Sequence, residues 1–219
     1  MKRFSLFMVV ITTFLTSCST DDTLVSENSS KTFRQKTESN YNEIASLAFN
    51  EITDEYILRY GTSEKPVESI TEYILEIAKS NGTFMVLQGS ESINCNSGEI
   101  NDIVNYSRLY VEDLPLSGEA LNNIITLFDK LDQRVEEPKR LIGDFSVAVT
   151  ENPNISEAEK NIMLMASNLA LDNNEKGIGD GHDDDWGTSR SVMAASVSGG
   201  MESPAKAVMN AVVVTALTN

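Results

Sequence analysis

The chain has 219 residues, with 17 Lys and Arg against 33 Asp and Glu, for a formal charge of −16. That is enough for one ordinary domain, and the acidity excludes nucleic acid as a main partner, because phosphate binding needs clustered Lys and Arg. Hydrophobic residues at 41% exclude a wholly disordered chain.

Lys2 and Arg3 are followed by an apolar run from Phe4 to Leu15, interrupted by Ser5, Thr12 and Thr13. A membrane-spanning helix needs ~20 apolar residues, so this run has the length of a secretory signal instead. It ends in Leu15, Thr16, Ser17 and Cys18. That Leu-small-small-Cys pattern resembles the lipobox of bacterial lipoproteins. The resemblance implies a signal peptide over 1–17, removed on export, and a diacylglycerol on the sulfur of Cys18. The new amino terminus would usually be acylated as well. Losing Lys2 and Arg3 would take the charge from −16 to −18. Each buried CH₂ is worth about 0.8 kcal/mol, so several acyl chains moor a protein firmly where one does so marginally. Membrane association through the lipid anchor is therefore expected.

Ser19 and Thr20, then Asp21 and Asp22, follow the cysteine. The acidic pair resembles the export tag of surface-exposed lipoproteins in the Bacteroidetes, which implies the outer membrane, facing outward. Asp22-Thr23-Leu24 resembles a short O-glycosylation site of that group, with Thr23 as the acceptor. Residues 18–38 are polar and poor in aromatics, and read as a flexible tether.

From residue 39 the period is helical. Tyr41, Ile44, Leu47, Ala48, Ile52, Tyr56 and Ile57 share a face of a helix ending near Gly61. Pro66 suits a first turn, with Val67, Ile70, Ile74, Ile77 and Ala78 inward and Gly82 closing. Phe84 to Leu87 reads as a buried strand or an extended plug. Ile100, Ile103, Val104, Tyr110 and Val111 predict a helix ending before Pro115. Ser117 with Glu119 starts the next, carrying Leu121, Ile124, Ile125, Phe128 and Leu131. Pro138 opens one with Leu141, Ile142 and Phe145. Ser156-Glu157-Ala158-Glu159 is a capping box leading Ile162, Met163, Ala166, Leu169 and Ala170. The expected fold class is mainly α: a bundle of about six helices over 39–171, without a fixed-period repeat.

Composition changes at Asp172. Residues 172–185 hold six acids, alternating Gly177, Gly179 and Gly181, and His182, the only histidine. Asp180, His182, Asp183, Asp184 and Asp185 are candidate metal ligands, for calcium through oxygens or for a transition metal through His182. A solvated charge run is the alternative. An EF-hand starting at Asp172 would put Asn174 third but Lys176 fifth, where an acid or amide is needed.

Residues 186–219 are rich in Ala, Ser, Val, Gly and Met. Ala207, Ala211 and Thr215 recur at four-residue spacing, which allows close helix approach. Ala205 to Leu217 would measure about 20 Å as helix, short of the ~30 Å bilayer core. The β-branched run Val212 to Thr215 leaves a strand open. The segment either packs on the body or serves self-association, a protein partner or membrane contact.

No Gly-x-Ser-x-Gly elbow, P-loop or His-Glu-x-x-His helix occurs. Cys95 would be the sole thiol after lipidation. The layout resembles small Bacteroidetes surface lipoproteins, which implies a lipid-anchored envelope protein but no particular activity. The single His, the single free thiol and the lack of a catalytic motif lead to the expectation of a non-catalytic binding or structural role, with no catalytic residue. Two alternatives stay open. One is a metal- or carboxylate-dependent envelope hydrolase using the acidic loop; the other is a toxin or immunity protein with a membrane-active tail.

Overall fold

Local signals set most of the helix starts. A computed structural model describes residues 26–62, 65–176 and 185–218, with side chains from Tyr41 onward apart from Asp185. The chain divides into two units, Met1–Thr37 and Glu38–Asn219. The first contributes the opening of α1 (Ser26–Tyr60). The second holds the rest of α1 and all the other helices: α2 (Val67–Ser80), α3 (Gly82–Gln88), α4 (Ser97–Glu112), α5 (Gly118–Gln133), α6 (Pro138–Glu151), α7 (Glu157–Lys176), α8 (Asp185–Glu202) and α9 (Pro204–Thr218).

The fold is mainly α as expected, with nine helices rather than about six and no strand among the described residues. Each difference has a local cause. Phe84 to Leu87 is helical, because the Asn81 side chain accepts the Phe84 N–H at 2.7 Å and so caps α3. Helix α1 begins at Ser26, inside the stretch expected to be a tether; Glu, Lys, Arg and Gln recur there, and straight side chains lose little freedom in a helix. Its buried face keeps Ala48, Ile52 and Tyr56 as expected, gains Ala45 and Phe49, and leaves out Tyr41 and Leu47, which are exposed.

The expected caps form. Ser117 Oγ accepts the Ala120 N–H at 3.3 Å. Ser156 Oγ accepts the Glu159 N–H at 3.3 Å, and the Glu159 carboxylate takes the Ser156 N–H at 3.2 Å, completing the capping box. Pro138 occupies the first turn of α6, where its missing N–H is not needed.

Residues 186–218 are the centre of the second unit. Helix α8 packs on α9, α7, α4, α5 and α6, and α9 packs on α8, α2, α3, α4 and α7. Val192, Met193, Ala194, Ala195 and Val197 of α8 are fully buried, as are Ala207, Val208, Met209, Ala211, Val212, Val213 and Val214 of α9. Burial on every side explains why four-residue spacing was an incomplete guide. It also answers the strand alternative: Val212 to Thr215 is helical, its β-branched side chains enclosed, so packing outweighs propensity. The residues of α9 from Ala205 to Thr215 are buried within the chain.

Helices α8 and α9 meet tightly at their joint. A Cβ on Gly199 would lie 2.6 Å from the carbonyl carbon and oxygen of Lys206, so only glycine fits. Ser203 reverses the chain: its N–H donates to Gly199 O at 3.0 Å and its Oγ accepts the Lys206 N–H at 3.2 Å. No described helix is long and apolar enough to cross a membrane.

Candidate functional site

The expected site residues fall mostly outside the described structure. Cys18, Thr23, Asp180, His182, Asp183 and Asp184 lie outside the described residues, and Asp185 is the first residue of α8, its side chain outside them too. The misfit of an EF-hand starting at Asp172 is matched by the backbone, since α7 stays helical through Lys176. Asn174 donates to Ala170 O at 2.7 Å and to Ser189 Oγ at 3.0 Å, and Lys176 Nζ donates to the Asp54 carboxylate and to Asn50 O. These groups serve helix packing, whereas a calcium loop needs irregular backbone. Among the described residues no group of three or more His, Cys, Asp or Glu could hold a metal ion.

Trp186 is built into the body. Its indole N–H donates to Glu136 O at 3.2 Å, and the Arg134 guanidinium sits 5.8 Å from the ring centre. Nearby, Arg190 Nε donates to Ser107 Oγ at 2.9 Å and pairs with Asp132.

The densest polar chemistry of the described residues lies where the α3–α4 connection meets the α8–α9 joint. Helix α9 carries Lys206 and Asn210 four residues apart, hence on one side of the helix. Both are buried. The Lys206 ammonium donates to Asn94 O, with a Glu202 carboxylate oxygen 3.9 Å away. Asn210 Oδ1 accepts from the Cys95 thiol at 3.5 Å. The Cys95 thiol is free, and burial pushes it up to about 11; nearby Glu99 adds to this, while Lys206 and Thr71 oppose it. At neutral pH the sulfur is a protonated thiol, not a nucleophilic thiolate.

A groove of about 380 Å³ opens beside this cluster, lined by Glu91 to Asn94 on one side and by Glu202, Ser203 and Lys206 on the other. Between α4 and α8, Glu99 Oε1 accepts from Tyr110 OH at 3.0 Å and from Ser198 Oγ at 2.8 Å. Burial holds the Tyr110 phenol above its usual range. The groove walls offer two carboxylates, hydroxyls and an amide, and their one amine is already bonded to backbone. The carboxylates can accept from hydrogen-bond donors or cations, and the hydroxyls and the amide can both donate and accept.

No protein-family profile, no curated protein and no solved structure matches the chain.

Sequence reasoning did not single out Lys206 and Asn210. The available signal was their position: two polar groups one turn apart inside an apolar stretch, which a buried helix carries only when each has a partner.

Proposed function

We propose that this protein is a lipid-anchored component of the outer membrane surface, with a non-catalytic binding or structural role. Cys18 is the acylated residue, and Asp21 and Asp22 direct the protein outward. The Leu15-Thr16-Ser17-Cys18 pattern behind its basic and apolar leader supports the anchoring. The observation that carries the non-catalytic half is the condition of Cys95. A thiol held up to about 11 and donating to Asn210 Oδ1 is arranged for packing. The Lys206 ammonium, committed to Asn94 O, supports the same reading. A binding role would use the groove beside Glu91 and Glu202.

The test is metabolic labelling with a radioactive fatty acid, combined with proteinase treatment of intact cells. The parent chain incorporates label and is digested from outside. Cys18→Ala takes up no label and leaves the membrane fraction. Equal membrane partitioning of the two chains would remove the anchor, and protection of the labelled parent would reverse its facing.

A further inference from the structure

Thr53 on α1 and Thr215 on α9 line one cavity, whose other walls include Tyr56, Ile57, Val212 and Ala216. Thr53 is 2% exposed and Thr215 is 1% exposed. The Thr53 hydroxyl has no hydrogen-bond partner among the described residues. Such a group normally finds one, because an unmade bond in a buried site costs free energy. The cavity leaves about 10 Å³ for the centre of a water-sized sphere, the room of a single water molecule. A purely apolar void of this size would stay dry, but here two hydroxyl-bearing side chains from facing helices border it.

We propose that this cavity is a binding site for one ordered water molecule, held by the Thr53 hydroxyl and shared with Thr215 across the seam between α1 and α9. The water satisfies Thr53 and joins a helix early in the chain to one late in it. The inference stands apart from the proposed envelope role.

The test begins on the unaltered full chain, with nuclear magnetic resonance detection of cross-relaxation between bulk-exchanging water and the Thr53 and Thr215 methyl groups. Contact of a long-lived water with both methyls is expected. Its absence, or a xenon-induced shift marking a dry void, overturns the site. The second arm is the isosteric Thr53→Val. If the water bridge exists, this substitution lowers the folding equilibrium constant about fivefold or more, and Thr53→Ser recovers most of the loss. In a dry cavity Thr53→Val removes an unpaired hydroxyl and stabilises the chain, which refutes the proposal.

Discussion

Glu159 reaches out of its own helix to Ser117: Oε1 of the carboxylate accepts the Ser117 backbone N–H at 2.6 Å while Oε2 serves the Ser156 N–H. One side chain therefore serves the starts of both α5 and α7. Burial pushes this carboxyl upward, but the hydrogen bonds from Ser156 and Ser117 outweigh it and hold the group below the usual range. A depressed carboxylate contributes stability above its unfolded value, ~4.3, and loses it as pH falls through the folded one. Glu159→Ala should destabilise the body by about 1–2 kcal/mol at pH 7. Urea unfolding at a series of pH values checks this: the gap between parent and variant should shrink below about pH 4.

Gly199→Ala should be among the most damaging single changes. The added methyl would press on the Lys206 backbone at 2.6 Å, and a backbone cannot swing aside as a side chain can. A loss of about 3 kcal/mol is expected from overpacking alone. The intrinsic emission of Trp186, the only tryptophan, gives a direct readout in denaturant titrations. Gly143→Ala, on α6 where a methyl would meet nothing, is the control and should be neutral or slightly stabilising.

Cys95 should resist alkylation in the folded state and react only as the body opens. Burial, the largest cause, raises its thiol from 9.0 to about 11. A group whose folded value is raised contributes stability that is complete below the unfolded value and disappears as pH climbs through the folded one. Stability should therefore decline between about pH 9 and pH 11, and Cys95→Ser should flatten that decline. Labelling by iodoacetamide in a Cys18→Ala background gives the opening rate directly.

Lys206→Met keeps the aliphatic stem and removes the ammonium that donates to Asn94 O. The expected cost is about 1–2 kcal/mol, the loss of a charge-assisted bond partly offset by relief of a buried charge. Hydrogen exchange should accelerate at residues 91–96 more than in α5, which shares no bond with Lys206. Uniform acceleration throughout would show that the lysine does not hold this connection.

Helices α2, α5 and α6 were legible because each buries one face, so Ile70 and Ile74, Ile124 and Phe128, and Leu141 and Phe145 fall into a helical rhythm. The caps at Ser117 and Ser156 were legible because a side-chain oxygen bonding the next turn requires a fixed residue at a fixed offset. Helices α8 and α9 gave no such rhythm. Ala195, Ser196 and Val197 are all enclosed, so no polar face marks the outside. For the candidate site, Cys95 was visible as a lone thiol. Its partner Asn210 lies 115 residues further along the chain, and no local pattern joins residues that far apart.

The innermost pair of helices comes after the six, α2 to α7, that pack on it. During synthesis α2 to α7 can already pack on one another in part, but the faces they turn to α8 and α9 have no mates until those helices are made. The core is therefore completed only when residues 186–218 arrive, and a chain cut short before them would leave those inner faces open to water.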